Sequence, residues 1–352
     1  VLLTGVFNLL APLFFTTAIA ATIGKGIVDP VFLTPLLILM ALLGAVLWVF
    51  LTSFFGIPVS SSHALIGGLL GAGMAAAGTG AVLWPSIAVI RQTALYAIAG
   101  AFIGAIITAA VAYRRDDFKP WNFIVGGLIG VTVIIPFAIA AGFLKIGGIL
   151  AVVIFIVISP MLGFLSAFVL AALITCIFRN YPPRRLSSLF KNLQIFSGSF
   201  QAIGHGSNDA QNAMGIITAM LLAGGLITEF YVPLWVIFAS SLAISLGTLF
   251  GGWRVIDRMA NKITRIRPYQ GFSASTAAGG VLSLMTAFGV PVSTTHAATG
   301  AIMGVGATRG YSAVKWGVVR EILIAWILTI PASAVVSGGC YVIALALIGE
   351  VF

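Results

Sequence analysis

The residues best suited to chemistry form one polar stretch inside a long apolar segment. The segment covers residues 193–222, and its centre contains Ser207, Asn208, Asp209, Gln211 and Asn212. A carboxylate at the centre of a membrane helix costs about 3 kcal/mol on insertion scales. These side chains should therefore face a protein interior or a water-filled cavity, and an ionisable group in such a place indicates a functional site.

The oxygen atoms of this stretch are suited to holding a cation. Carboxylate and amide oxygens are ligands for hard cations such as Na⁺. We expect Asp209, Asn208 and Asn212 to hold a cation, with Asp209 as a metal ligand if that ion is Na⁺. Asp209 could instead bind a proton, so Na⁺ and H⁺ both stay open.

Two further segments carry hydroxyl groups beside a proline. Gly56–Ala64 reads GIPVSSSHA, and a near copy, GVPVSTTHA, begins 233 residues later at Gly289. Pro58 and Pro291 suit the first turn of a helix, and a helix start with hydroxyl groups is a ready anion site. We predict that an anion is bound by Ser60, Ser61, Ser62, Ser293, Thr294 and Thr295, together with Asn208, Gln211 and Asn212.

The chain has three histidines, and all of them lie in these motifs: His63, His205 and His296. We interpret them as supporting residues that cap or orient their neighbours. No Lys or Arg lies in the middle of an apolar segment, so a carried anion would rest on helix N-termini, hydroxyls and amides. A membrane enzyme is not predicted, because no nucleophile–base pair or metal cluster has a defined spacing, and no cofactor is expected.

Composition gives the class of protein that positions these residues. The chain is 60% hydrophobic and 7% charged, whereas soluble domains carry about 25% charged residues. We predict an all-α polytopic membrane protein, surrounded by lipid, because irregular backbone is poorly tolerated in the bilayer. Eleven apolar segments are predicted as spans: 1–24, 31–55, 58–82, 90–112, 121–143, 148–178, 193–222, 230–252, 271–288, 291–308 and 318–348.

The net charge of +10 is concentrated in short loops. Basic residues cluster in loops 113–119, 179–191 and 254–267, which fall on one side if each span crosses once. Positive loops favour the cytoplasmic side, so we expect an integral protein of a bacterial or archaeal plasma membrane. Nucleic-acid binding is not expected, because no basic and aromatic residues are interleaved.

The repeated motif predicts two halves of opposite orientation. Seven spans separate equivalent elements, and an odd number inverts the second copy. Inverted repeats with midplane sites are typical of secondary transporters. We predict a first repeat at 1–178 with a two-span insertion near 84–143, a basic linker at 179–192 and a second repeat at 193–352. Gly67, Gly71, Gly300 and Gly304 are predicted to permit close helix packing.

The same spacing predicts a missing partner for the polar stretch. The equivalent of Asn208 and Asp209 would lie about 25 residues upstream of Val1. We therefore expect a twelfth span there, and a first repeat that lacks its first helix in the sequence as given.

These motifs resemble the inorganic phosphate transporter (Pit) family. Gly206–Ala213, GSNDAQNA, resembles the family signature, both Pro-Val-Ser-x-x-His copies resemble its second element, and Thr22–Asp29 resembles its first half. The resemblance implies cation-coupled phosphate symport by alternating access, with Asn208, Asp209 and Asn212 in the site. The family also has an Asn-Asp signature in the first half, which this sequence lacks.

Alternatives remain at this stage. A sulfate permease of the same fold would bind a similar tetrahedral oxyanion, and an uncoupled anion channel would need no cation. The sequence leaves open whether phosphate enters as a metal–phosphate complex and whether the chain forms a homo-oligomer.

Overall fold

The computed structural model describes residues 2–116 and 118–348, so the first residue of the predicted segment 1–24, residue 117 of loop 113–119 and the last four residues of the second repeat lie outside it. The described residues form helices joined by short connections, with only an isolated bridge between Val28 and Val82. The α-helices are α1 (Leu2–Leu10), α2 (Ala18–Lys25), α3 (Pro35–Phe54), α4 (Ser61–Ala77), α5 (Ile87–Arg114), α6 (Trp121–Ala140), α7 (Gly148–Ile177), α8 (Pro183–Ala223), α9 (Leu234–Phe250), α10 (Trp253–Asp257), α11 (Pro268–Ala287), α12 (Thr294–Ala307) and α13 (Trp316–Ile348).

Several of these helices are long and apolar enough to cross a membrane. Within the described residues six helices meet this condition, or eight spans if two bent pairs are each counted once. The bent pairs are α1 with α2, at 81°, and α9 with α10, at 66°. Together with their exposed apolar side chains, these helices identify an integral membrane protein.

Helices α3 and α4 form a hairpin along the C-terminal half of α8. Leu37 and Leu69 share a buried cluster with Ile216 and Ala219 of α8. The turn between α3 and α4 covers residues 55–60, and Ser62 at the start of α4 contacts Asn212. The first hairpin therefore approaches the middle of α8 from the C-terminal end of that helix.

Helices α11 and α12 form a second hairpin along the N-terminal half of α8. A side chain on Gly271 would contact Gln194, and one on Gly279 would contact Gln201. The turn at 288–293 brings Val292 to Asn208. The second hairpin thus reaches the middle of α8 from the opposite end.

This arrangement changes how the predicted spans are counted. Each of the eleven predicted segments contains a helix. Four of them, however, pair into two hairpins whose turns lie beside the centre of α8, so the structure does not support eleven single crossings. Moreover, α12 has 14 residues, about 21 Å at 1.5 Å per residue, which is shorter than the roughly 30 Å hydrocarbon core.

The predicted linker at 179–192 is mostly helical, which corrects its description as a loop. Helix α8 begins with Pro183 at its N-terminus and runs for 41 residues, a position that suits proline because its missing N–H would be unpaired there. Phe190 is buried and packs edge-to-face on Phe178 and Phe272. This packing stabilises the part of α8 that precedes the predicted apolar segment 193–222.

The predicted insertion near 84–143 contains a peripheral helix pair, α5 and α6. Their axes approach closely because glycines face glycines: a Cβ on Gly100 would lie 2.8 Å from the carbonyl oxygen of Gly130. The pair packs on the remaining described helices mainly through α6 against α7. Its outer side chains, such as Phe102 and Ile107, are exposed and suit contact with lipid.

The glycines at 67, 71, 300 and 304 lie at close helix contacts, as predicted. A Cβ on Gly71 would overlap the carbonyl oxygen of Ala334 in α13, and one on Gly300 would overlap that of Pro160 in α7. Helix α4 is therefore fixed against α13, and α12 against α7.

Candidate functional site

The hydroxyl-rich segments begin helices, although one position differs from the prediction. Ser60 caps α4 by accepting the N–H of His63 at 3.3 Å, and Ser293 caps α12 by accepting that of His296 at 3.2 Å. Pro58 stands two residues before its cap, as does Pro291, so neither lies in the first turn. Ser/Thr side chains compete well for the first N–H groups of a helix, and these caps place the helix starts after the prolines.

Asp209 joins the centre of α8 to the start of α12. Its carboxylate accepts hydrogen bonds from the Thr294 hydroxyl at 3.1 Å and from the Asn208 amide at 2.9 Å. His205 Nε2 lies 3.2 Å from the same carboxylate, one helical turn away. The Asn208 amide also donates to the Val292 carbonyl at 2.7 Å.

Asn212 joins α8 to the first hairpin. Its amide donates to the Ser62 hydroxyl at 2.7 Å. Asn208 and Asn212 are four residues apart and therefore lie on one face of α8. The polar centre of this helix thus bridges the two hairpin turns, which bring together residues that are far apart in sequence.

Two oxygen atoms on this face fit a bound cation. The side-chain carbonyl oxygens of Asn208 and Asn212 are buried and have no hydrogen-bond partner among the described residues. A buried acceptor without a donor is costly, so these two oxygens are candidate ligands for a cation. Oxygen ligands suit Na⁺, and the part of the chain that the structure describes has no cluster of three or more His, Cys, Asp or Glu for a softer metal.

Gln211 is placed differently from the predicted substrate site. Its carbonyl oxygen accepts the Ile19 N–H at 3.0 Å, and its amide donates to the Ser207 carbonyl at 2.9 Å. Both ends of the side chain are therefore engaged, and Gln211 ties the first turn of α2 to α8.

His63 and His296 support the two hairpin turns. Their buried rings meet edge-to-face with centroids 4.7 Å apart, and Trp326 stacks on His296 at 3.7 Å. The Trp326 indole also donates to the Pro58 carbonyl at 2.9 Å. Sequence reasoning missed Trp326, because nothing in the pattern of α13 distinguishes it from a packing residue.

Asn8 is a second residue that sequence reasoning missed. It is fully buried, its amide donates to the Thr248 hydroxyl at 2.9 Å, and its oxygen lies 3.3 Å from His205 Nδ1. Both ring nitrogens of His205 thus lie beside side-chain oxygen atoms, of Asn8 on one side and of Asp209 on the other. The available signal was that Asn8 is the one amide in segment 1–24.

Ser61 lies apart from this network. It lines a groove of about 740 Å³ between α3, α4 and residues 251–254, whereas Thr294, the equivalent residue 233 positions later, contacts Asp209. Thr295 donates to the Val59 carbonyl at 3.2 Å, which joins one hairpin turn to the other. The structure therefore brings Ser62, Thr294, Asn208, Asp209 and Asn212 into one network and leaves Ser61 outside it.

The contact between Ser62 and Asn212 gives a testable coupling. Ser62→Ala and Asn212→Ala are each expected to lower the kcat/KM of transport about tenfold, the order expected from losing a hydrogen bond next to charge. The double variant should lose little more, because both changes remove the same contact. The control combines Asn212→Ala with Ser333→Ala, whose hydroxyl bonds to its own helix; those effects should add. Additive losses for Ser62 and Asn212 would mean that their contact does not matter for transport.

Comparisons with known proteins found a family whose members are similar to this chain. Residues 1–123 and 121–337 match the phosphate transporter family. A Rhizobium meliloti protein described as a "Probable low-affinity inorganic phosphate transporter" is 40% identical over 338 residues, which are 95% of this chain and 82% of that protein. A Bacillus subtilis protein of the same description is 34% identical over 346 residues, 97% of this chain and 85% of that protein.

A solved structure is similar over nearly the whole length of the chain. "The sodium-dependent phosphate transporter" superposes with a TM-score of 0.66 at 25% identity, and the match covers 98% of this chain and 89% of that one. The family match covers residues 1–337 in two overlapping parts, and both relatives are more than 30% identical to this chain over at least 95% of its length. The chain belongs to the phosphate transporter family.

Proposed function

We propose that this protein carries inorganic phosphate across a membrane together with a cation, by alternating access. The observation that supports this most is the position of α8, whose Asn208, Asp209 and Asn212 lie between two hydroxyl-bearing helix starts. That arrangement offers oxygen ligands to a cation and N–H donors to an anion within one buried region.

The anion would bind at the starts of α4 and α12. The first N–H groups of a helix have no carbonyl partner within it, and the caps use only those of His63 and His296. The N–H groups of Ser61, Ser62, Thr294 and Thr295 are therefore available to phosphate oxygens, helped by the positive ends of two helix dipoles. The hydroxyls of Ser60 and Ser293 act as caps and would contribute indirectly.

The cation would bind at Asp209 with the carbonyl oxygens of Asn208 and Asn212. Na⁺ is our first choice, because these atoms are hard oxygen ligands and a structurally similar protein is named as sodium-dependent. A proton is the second choice. His205 favours it, since one of its ring nitrogens faces Asn8 and the other faces Asp209. A proton could therefore pass between His205 and Asp209.

We propose that residues 1–178 and 193–352 are inverted repeats. The two hairpins reach α8 from opposite ends, which supports this orientation. The segments that follow α4 and α12 also make similar backbone hydrogen bonds. Leu83 N–H donates to the Ile27 carbonyl at 3.0 Å, and Lys315 N–H donates to the Ile263 carbonyl at 2.9 Å. Each short hairpin helix packs on a long helix of the other half, α4 on α13 and α12 on α7.

The basic segments would face the cytoplasm of a bacterial or archaeal cell. Segments 179–191 and 254–267 meet at the N-terminal end of α8, where Lys191 and Arg265 line one cleft. We place Arg114 and Arg115, at the C-terminal end of α5, at the same end, because α6 and α7 are joined by a short connection at residues 141–147. An excess of Lys and Arg at one end favours the cytoplasmic side.

The predicted helix upstream of Val1 stays a prediction, and the groove beside Ser61 is where it would pack. Val46 and Val49 line this groove, and they precede Gly279 and Leu282 by 233 residues, the positions at which α11 meets α8. A helix related to α8 would therefore present its polar face to Ser61.

Uptake of radiolabelled phosphate into proteoliposomes tests the proposal. We expect uptake that requires an inward Na⁺ gradient, survives when the membrane potential is clamped at zero and is not inhibited by excess sulfate. Flux without any cation gradient would indicate a channel. Inhibition by sulfate with sulfate accumulation would indicate a sulfate permease, and dependence on a pH gradient alone would assign the coupling to H⁺.

A further inference from the structure

We infer a second binding site for inorganic phosphate, in a basic cleft at the end of the bundle where α11 begins. The cleft has a volume of about 880 Å³ and lies between α8, α11, α12 and the segment that precedes α11. Three positive side chains line it: Lys191, Arg265 and Arg267. It is distinct from the site at Asp209, which contains no Lys or Arg among its contacts.

The charge in this cleft is not compensated by acidic residues. No carboxylate lines it, and none of its three basic residues forms an ion pair within residues 2–116 and 118–348. Two nearby basic residues do form ion pairs: Arg258 with Glu321, and Lys262 with Asp257. An uncompensated cluster of this kind attracts multiply charged anions and raises their local concentration.

The two arginines stand on a segment that is held in place by other side chains. The Arg309 guanidinium donates to the Thr264 hydroxyl at 2.8 Å and to the Arg265 carbonyl. Gln270 is fully buried, accepts the Arg267 N–H at 3.1 Å and donates to the Val305 carbonyl at 2.7 Å. The backbone is therefore fixed while both guanidinium groups remain available, which favours bidentate binding of a phosphate group.

The inner wall of the cleft lies near the central site along two helices. Gln201 and Ala298 line it, and each lies one helical turn from a residue of the network, His205 in α8 and Thr294 in α12. An anion held by the arginines is thus positioned to enter or leave the central site from this end. We propose that phosphate pauses here in transit; this role rests on the proposed function, whereas binding itself does not.

A phospholipid headgroup carries the same phosphate chemistry and could reach a cleft at the membrane surface. We favour free phosphate because Gln194, Gln201, Asn261 and Ser275 also line the cleft, which suits a hydrated ion better than an acyl chain.

The transport test uses Arg265→Gln combined with Arg267→Gln, in vesicles of each orientation. For phosphate entering from the basic end, KM should rise about tenfold, as expected for losing charge-assisted hydrogen bonds at a partly exposed site, while the maximal rate stays unchanged. KM from the opposite end should not change. The matched control is Arg184→Gln with Arg185→Gln, which removes the same charge from the same end outside the cleft and should leave both KM values unchanged.

Direct binding separates failure of this inference from failure of the proposed function. Radiolabelled phosphate is titrated into purified Asp209→Asn protein, with and without the two arginine changes, and then with a short-chain anionic phospholipid. We expect binding that the arginine changes weaken about tenfold and that the lipid does not displace. Binding or KM values insensitive to both arginines would overturn the inference, as would displacement by the lipid. Absence of phosphate transport by the unmodified chain, with binding intact, would count only against the proposed function.

Discussion

Asp209→Asn is expected to lower coupled phosphate uptake at least about 100-fold, equivalent to roughly 2.7 kcal/mol. Asp209 accepts hydrogen bonds from Thr294 and Asn208 and lies against His205. The asparagine side chain has the same shape as aspartate but no charge. Its NH₂ group would replace one carboxylate oxygen and point at a donor from Thr294 or Asn208. The cation would lose its only charged ligand in the network, and hydrogen bonds to charged groups are worth about 1.5–3 kcal/mol each.

The matched control is Asp257→Asn. Asp257 is an exposed carboxylate of α10 that contacts Lys262 and Asn261, so the same chemical change should leave uptake within about twofold, as surface ion pairs contribute little. Expression and elution from a sizing column establish that both variants fold. Uptake by folded Asp209→Asn at the unmodified rate would remove this carboxylate from ion coupling.

The sequence predicts much of the central site because the cost of exposing a polar side chain to lipid can be read from that residue and its own segment. Asp209 and the three amides beside it lie near the centre of one membrane segment and must face other protein groups. They do: each of Asn208, Asp209, Gln211 and Asn212 has a side-chain hydrogen bond. The duplicated Pro-Val-Ser motif likewise predicts two equivalent helix starts, and both carry the same cap.

The remaining features depend on which helices become neighbours, and no local pattern encodes that. Asn208 meets a carbonyl 84 residues away, and Asn212 meets a hydroxyl 150 residues away. Hydropathy reads α3 and α4 as two separate spans, because it does not show that the two helices form a hairpin whose turn lies beside α8. For the same reason Asn8 looks like an isolated polar residue until α1 packs on α8.

The direction of Ser61 illustrates the same limit at one position. Ser61 and Ser62 are adjacent, so they point about 100° apart around α4. Only Ser62 reaches α8, and Ser61 turns to the groove. Their types are identical, so the sequence alone predicts the same role for both.

Gly300→Leu is expected to reduce the yield of folded protein severely and to lower the melting temperature of what remains. A Cβ at this position would lie 2.7 Å from the carbonyl carbon of Pro160 and 2.8 Å from its Cα. These are backbone atoms of α7, so they cannot move aside as a flexible side chain would. Overpacking by a few atoms typically costs about 1–3 kcal/mol, and a leucine adds four atoms.

The control for Gly300 is Gly280→Leu in α11, where a Cβ meets nothing within 4 Å. That change should be neutral or slightly stabilising, because glycine costs a helix about 0.5–1 kcal/mol relative to alanine. Both variants are compared with the unmodified protein by thermal unfolding followed on a sizing column. Since Ser293 and Thr294 begin the helix that Gly300 fixes against α7, a milder Gly300→Ala protein that folds should also bind phosphate more weakly. Equal melting temperatures for Gly300→Leu and Gly280→Leu would contradict the close packing of α12 on α7, and with it the rigid placement of Thr294 beside Asp209.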